Sequence, residues 1–342
     1  MHTTTLGIDI GKRWFHVIGL DTAGIVVRRE KLNRAQLYEL FATHSPCLIG
    51  METCCGAQHL ARLAASHGHD VRLLPAQHVR PFVKSQKNDF NDATAIAEVV
   101  RLPSMRAVPL RSLEQIDIQA LHRARQRLVE QRTGMTNQIR GLLLDRGLPI
   151  PQGLNPLRTA VPEILEDATN GLTPLFRSLL ARLLSMWQQT DSAIEELTDE
   201  IQSVARASDQ CRRLQSIPGV GPLVATALVS AVGNAGTFRS SRDLAAWVGL
   251  VPRQHTTGGK PKLLGLSKRG NSHLRRLFVQ GARALWVWKE KRNDPLHQWM
   301  RRLAQRMHPH KAVCALANKL IRICWALLRN DHMIFRNAAA AA

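Results

Sequence analysis

Acidic residues are scarce in this chain. Its 342 residues carry 26 Asp and Glu against 47 Lys and Arg, a formal charge of +21 and an isoelectric point of about 11.0. That balance excludes a neutral or acidic surface and makes a polyanion, DNA or RNA, the expected partner. Metal-binding cysteine patterns are lacking too. Cys47, Cys54, Cys55, Cys211, Cys314 and Cys324 form no C-x-x-C pair and have no histidine cluster at zinc spacing beside them. Scattered histidines such as His78 and His122 read as surface or core residues, and the thiols fit a reducing cytoplasm. Long apolar runs are missing as well. The longest, residues 312–328, is broken by Lys319 and Arg322, so no membrane span is expected. Asp9 and Lys12 interrupt the apolar start that a signal peptide needs.

Basic charge is plentiful and unevenly spread. Residues 253–336, ending at Arg336, hold 19 Lys and Arg against three acids, Glu290, Asp294 and Asp331. A surplus confined to one quarter of the chain favours nucleic-acid contact over a surface kept basic for solubility. The length exceeds that of a usual single domain, so two or three units are expected.

Against that background, four carboxylates stand at the ends of apolar elements. Asp9 lies in the strand-like run Leu6-Gly7-Ile8-Asp9-Ile10-Gly11, and Glu52 ends the run Leu48-Ile49-Gly50-Met51-Glu52. Asp89 and Asp92 open the helical pattern Asn88-Asp89-Phe90-Asn91-Asp92-Ala93. At i and i+3 these two face one way at a helix N-terminus, where the helix dipole favours negative charge, so capping alone also accounts for them. Carboxylates that converge repel unless a cation sits between them, and Mg2+ is the usual one. The combination points to metal-dependent phosphoryl transfer on nucleic acid.

The first section, 1–110, reads as α/β. Strands are expected at 4–10, 14–20 and 25–31, with Asp21-Thr22-Ala23-Gly24 as the hairpin turn between the last two. A helix at 35–43, the strand ending at Glu52, a helix at 58–67, a strand at 71–74 and a helix at 92–101 follow. Three meandering strands followed by alternating helix and strand is the order of a ribonuclease-H-like fold, in which the acid positions meet at one edge of the sheet.

The middle section, 111–208, is helical. Leu113, Ile116, Leu121, Leu128, Met135, Ile139 and Leu142 recur through an Arg-rich segment, and apolar spacing resumes over 175–205. Between them, 147–171 holds four prolines and three glycines and reads as a connector or a broken element. Two long amphipathic helices joined this way form an antiparallel pair or a dimerising coiled coil, with scaffold and dimer contact equally open.

The last section, 209–336 with a tail at 337–342, is mainly α. Pro218-Gly219-Val220-Gly221-Pro222 before a helix at 223–232 is like the turn of a helix-hairpin-helix module, whose glycines let the backbone approach a phosphate; Gly219 and Gly221 also fit a plain tight turn. A helix at 240–248 precedes a hairpin with a glycine tip at 252–260. Asn271 or Ser272 then caps a helix running to about Lys289.

These motifs together resemble a known family, the bridge-RNA-guided DEDD transposases of bacterial insertion sequences. The resemblance rests on Gly7-Ile8-Asp9-Ile10-Gly11, the strand end at Glu52 and the 88–93 segment, whose four acids match the family signature. It extends through residues 216–228, 244–260 and 266–277, which match the family's C-terminal transposase domain. The chain departs from common versions at Cys54-Cys55, where small or hydroxyl residues are frequent.

The resemblance implies a first domain like the RuvC-type junction resolvases, with Asp9, Glu52, Asp89 and Asp92 holding Mg2+. It further implies a serine nucleophile, and Ser267 is the residue that matches. Lys268 and Arg269 beside it suit a phosphate under attack, and Gly270 permits close backbone approach. Ser272 competes, although a helix-cap role already explains it. The implied reaction is cleavage and rejoining of DNA at element ends and target through a phosphoserine link, guided by a structured RNA, in a homodimer or tetramer of the bacterial cytoplasm. Acids and serine fall in different domains, so a site composed across a dimer is expected. Gly219, Gly221, Lys260, Lys268, Arg269, Arg275 and Arg276 are the expected nucleic-acid contacts. Two other readings stay open. One is a RuvC-like nuclease that uses metal-activated water and needs no Ser267. The other is a non-catalytic nucleic-acid-binding protein in which the acids are structural.

Overall fold

The alternation of apolar residues in the first section is realised as a five-stranded sheet. In the computed structural model, which describes residues 3–84, 86 and 88–335, the chain forms two compact units, Met1–Ser112 and Leu113–Ala342. Arg336 and the expected tail at 337–342 lie outside the described residues. In the first unit, β1 (Thr5–Ile10), β2 (Phe15–Leu20) and β3 (Val26–Leu32) are followed by α1 (Arg34–Thr43), β4 (Leu48–Glu52), α2 (Ala57–Ser66), β5 (Asp70–Leu74), the short α3 (Ala76–Val79) and α4 (Asp89–Val100). The strand order is β3-β2-β1-β4-β5. The first three strands form an antiparallel meander, and β4 and β5 run parallel to β1.

Period-two alternation divides each strand between two layers. Leu6, Ile8, Phe15, Val17, Ile49 and Met51 face one way and share a core with Leu37 and Phe41 of α1 and Leu60 and Ala61 of α2. The opposite face carries Ile18 and Leu20, packed with Ala93 and Ala97 of α4. The mixed α/β character expected of this section is borne out, and the element boundaries differ from the expected ones by only a few residues at either end.

The second unit is mainly helical: α5 (Leu113–Leu144), α6 (Leu154–Glu166), α7 (Pro174–Ala207), α8 (Asp209–Gln215), α9 (Pro222–Val232), α10 (Ser241–Val248), the hairpin β6 (Pro252–Thr257) and β7 (Lys260–Leu266), then α11 (Ser272–Trp286), α12 (Pro295–Arg306) and α13 (Pro309–Arg329). Helices α5 and α7 are an antiparallel pair within the chain. Arg125 bonds Thr198 at 2.6 Å, Arg132 pairs with Asp191, and Trp187 donates to Thr136 at 2.9 Å, so partners descend along α7 as they ascend along α5. The middle section shares the compact unit of the C-terminal section, because α5 also packs on α9. Gln119 donates to Ser230 O at 2.6 Å, and His122 meets Thr226 at 2.9 Å.

One local expectation is corrected and one alternative is resolved. The proline-rich connector contains α6. Pro156 falls in its first turn, where a missing N–H costs little, and burial of Leu157 and Val161 outweighs the bond that Pro162 removes. Asn271, not Ser272, caps α11: its side chain accepts from Leu274 N at 3.0 Å, and Ser272 is already helical. That helix ends at Trp286, short of Lys289.

Candidate active site

Two glycines set the position of the acids. Gly7 and Gly50 are direct partners across β1 and β4, and α4 lies in the trough they leave. A methyl group on Gly7 would meet Ala93 O at 2.3 Å and Ala97 Cβ at 2.6 Å; one on Gly50 would meet Val100 Cβ at 2.8 Å. Two residues further along each strand, on the same face, stand Asp9 and Glu52. Asn88 caps α4 by accepting from Phe90 N at 2.9 Å, which places Asp89 and Asp92 in its first turn.

The electrostatics of Asp9 and Glu52 follow from this crowding. Burial raises the Asp9 carboxyl above its ordinary value, and Asp89 and Asp92 raise it further, against a smaller opposing pull from His16 and the Ile10 backbone. Burial likewise raises Glu52, with Asp9 and Asp92 adding to it. The structure thus brings all four expected acids into one electrostatic group. Half-buried Asp9 and Glu52, raised by the acids around them, are destabilised without a cation, and with Asp92 and the exposed Asp89 they offer a hard oxygen donor set, which fits a divalent metal ion.

One residue at this site was not foreseen. His16 lies directly opposite Asp9 in the β1–β2 ladder, and its Nδ1 is 3.5 Å from Asp89 Oδ2. Potential ligand atoms of Asp9, His16 and Asp89 all lie within 4.8 Å of one another. The signal in sequence was the register of the β1–β2 turn. The bond from Gly11 N to Trp14 O, 3.1 Å, closes the loop, and a methyl on Gly11 would meet Trp14 O at 2.3 Å, so Gly11 is the residue that marks this turn in the sequence. Just beyond Glu52, Cys54 and Cys55 are exposed, and all six cysteines are free. Partial desolvation nonetheless raises the Cys54 thiol, and Cys55, Asp9 and Glu52 raise it further, which keeps it protonated.

In the second unit, the expected contacts divide by environment. The stretch between Asp243 and Glu290 holds nine Lys and Arg and no acid. Within it the β6–β7 hairpin turns through Gly258 and Gly259, at φ +57° and +77°, and is solvent-exposed along nearly its whole length, Lys260 included. Lys268 and Arg269 are exposed. Arg275 is instead occupied with carbonyls: its Nη1 donates to Val248 O at 2.9 Å and Arg269 O at 3.3 Å. Arg276 lies 3.5 Å from Glu130. Gly219, at φ +84°, seats the loop before α9 on α11, where a methyl on Gly281 would meet Gly219 O at 2.1 Å. Gly221 is exposed, with open space around it.

Ser267 sits in a tightly determined loop. Its N–H bonds Val251 O at 2.8 Å, Lys268 adopts φ +54°, and Gly270 approaches Trp247 O so closely that a methyl there would lie 1.8 Å away. The Ser267 Oγ is shielded from solvent and has no hydrogen-bond partner among the described residues.

Comparison with known proteins decides the family. Residues 6–146 match the DEDD transposase model of IS110 elements, a range that spans all four acids, and residues 211–298 match the model described as Transposase IS116/IS110/IS902 family. The chain belongs to the IS116/IS110/IS902 transposase family. It is 43% identical over 323 residues to the transposase for insertion sequence element IS1111A of Coxiella burnetii, covering 94% of this chain and 89% of that protein. It is 41% identical over 328 residues to the transposase for IS1328 of Yersinia enterocolitica, covering 95% and 97%. A probable family 20 transposase of Pseudomonas aeruginosa is 40% identical over 332 residues, covering 97% and 98%. As a transposase the chain binds DNA and cleaves and transfers its strands, and a DEDD centre calls for a divalent metal ion. Among the described residues no helix is long and apolar enough to cross a membrane.

Proposed function

We propose that this transposase moves its insertion sequence by Mg2+-dependent cleavage and rejoining of DNA through a phosphoserine intermediate, with sites chosen by a bound structured RNA. The convergence of Asp9, Glu52, Asp89 and Asp92 at the start of α4 is the observation that carries the metal-dependent part. Bound there, Mg2+ supplies charge stabilisation at the phosphate. Asp9, Glu52, Asp89 and Asp92 would hold it, and its charge would favour the ionised form of the two raised carboxyls, Asp9 and Glu52. The sheet order, a meander joined to a parallel pair with the acids on one face, supports a RuvC-like first unit.

The nucleophile in this reading is Ser267. Its oxygen bonds the phosphorus, a DNA oxygen leaves and takes up a proton, and the new ester conserves the bond energy for rejoining. Its hydroxyl is shielded in this conformation, so attack requires Ser267 or its loop to rearrange; the exposed Lys268 and Arg269 then meet the phosphate. RNA guidance and assembly as a dimer or tetramer rest on the resemblance to the bridge-RNA-guided transposases, and the acid-free basic surface is compatible with both nucleic acids.

The test incubates purified protein with element-junction DNA, Mg2+ and co-purified RNA and maps any covalent adduct by mass spectrometry. An adduct on Ser267, lost in Ser267→Ala together with recombination, supports the mechanism. An adduct on Thr256 or Thr257, the exposed hydroxyls of the hairpin, moves the nucleophile there. Cleavage with no adduct favours metal-activated water.

A further inference from the structure

The acids do not complete the centre at the start of α4. His16 is nine-tenths buried on the same sheet face, opposite Asp9 in the ladder, with Nδ1 3.5 Å from Asp89 Oδ2. That separation is long for a hydrogen bond. It suits two atoms that share a cation, because ligands at about 2.1 Å from one metal ion lie roughly 3 Å apart when adjacent and about 4.2 Å apart when opposite. The ligand atoms of Asp9, His16 and Asp89 all fall within 4.8 Å of one another, so small side-chain adjustments would bring them onto one ion. The ring is also held in place: Phe90 packs edge-on against it at 4.7 Å between centroids, and the Arg29 guanidinium covers Phe90 at 4.3 Å.

We infer that His16 is a direct ligand of the cation held by the acids, which makes the centre a mixed carboxylate–imidazole site rather than an all-oxygen one. The inference rests on the acids binding a divalent ion and on nothing else in the proposed mechanism. A nitrogen ligand alters metal preference. Imidazole favours first-row transition ions, whereas Mg2+ prefers oxygen, so Mn2+ gains more from His16 than Mg2+ does. A histidine that merely orients Asp89 would support both ions alike.

The full chain, with Mn2+ as the only added metal, provides the test. Electron spin-echo spectroscopy of bound Mn2+ detects a directly coordinated imidazole nitrogen, and labelling histidine with 15N shifts the signal. The expected result is a nitrogen signal in the wild type that is lost in His16→Ala, together with a fall in the ratio of Mn2+ to Mg2+ affinity. His16→Asn provides the same readout with less disturbance of packing, should the alanine variant fold poorly. Bound Mn2+ without nitrogen coupling, or an unchanged affinity ratio in the variants, overturns the assignment and leaves the acid centre standing. Failure to bind Mn2+, or undiminished binding by Asp9→Asn, removes the acid centre and the role of His16 with it.

Discussion

Replacing Gly7 with alanine tests how the fold builds the site, because this glycine touches none of the reacting groups. The added methyl would lie 2.3 Å from Ala93 O and 2.4 Å from Ala97 N, both backbone atoms of α4 that cannot swing aside. Ordinary contact begins at 3.4 Å, so α4 must retreat from β1 by about 1 Å. Such overpacking costs roughly 1–3 kcal/mol of stability. The same retreat carries Asp89 and Asp92 away from Asp9, and a misplacement of about 1 Å reduces rates on the order of 100-fold. Gly50→Ala should be milder, because its nearest obstacles, Val100 Cβ at 2.8 Å and Ile96 Cγ2 at 3.0 Å, overlap the new methyl less than the α4 backbone overlaps one on Gly7. Gly141→Ala is the control. It lies inside α5 with nothing within 4 Å of the new methyl and should stabilise by up to about 1 kcal/mol. Denaturant unfolding and cleavage of element-end DNA, measured on all three, should rank Gly7→Ala worst in both. A Gly7→Ala protein with wild-type unfolding and wild-type cleavage would show that α4 is not seated on β1 as described.

Three further outcomes are expected. In the folded, metal-free chain Asp9 and Glu52 titrate above their ordinary values, so folding takes up protons and stability rises as pH falls through those raised values toward the usual carboxylate range. Asp9→Asn should flatten that rise in thermal unfolding with chelator present and remove most of the stabilisation by added Mg2+; an unaltered pH profile contradicts the crowding of the acids. Changing Lys260, Lys262, Lys268 and Arg269 to glutamine should reduce the slope of log affinity against log salt by about 0.9 for each duplex phosphate that is no longer neutralised, or about 0.7 on single strands, and an unchanged slope in gel shifts places the nucleic-acid surface elsewhere. Asn271→Ala should cost about 1 kcal/mol and Ser272→Ala much less in equilibrium unfolding, since Asn271 is the cap; the reverse order contradicts the assignment.

The parts of this molecule that were legible in the sequence are those encoded by period and position. Leu6 and Ile8 alternate with Gly7 and Asp9, so a strand with a carboxylate near its end follows from residue order alone, and the same holds for β4 and Glu52. The start of α4 was readable because Asn88, Asp89 and Asp92 are residue types that helix N-termini favour. Helix α6 was hidden because prolines at 156 and 162 read as breakers, while Leu157 and Val161 are stabilised by a core formed from α5 and α7, elements distant in sequence. Whether α5 and α7 pair within the chain was equally hidden. An apolar stripe states that a helix needs a partner, and only the contacts of Arg132 with Asp191 and of Trp187 with Thr136 identify it.

His16 and Ser267 mark the boundary between what spacing encodes and what register and burial decide. His16 is seven residues from Asp9, and a hairpin loop longer by one residue would pair Asp9 with a different residue of β2. The Gly11–Trp14 closure fixes its place among the acids; Gly11 marks a turn in the sequence, but one glycine does not state which residues of β2 face Asp9. Ser267 shows the converse. Its neighbours Lys268, Arg269 and Gly270 have the chemistry of a phosphate site, yet its hydroxyl is shielded from solvent. A nucleophile must be reachable as well as well surrounded. The two residues therefore carry different burdens: His16 is already placed and needs only the cation, whereas the Ser267 hydroxyl must first become accessible. If both assignments hold, Mn2+ should bind the resting protein with nitrogen coupling before any DNA is added, and the Ser267 adduct should appear only with DNA present. A reagent selective for activated serine that labels Ser267 in the resting protein at the rate seen with DNA bound would contradict this order.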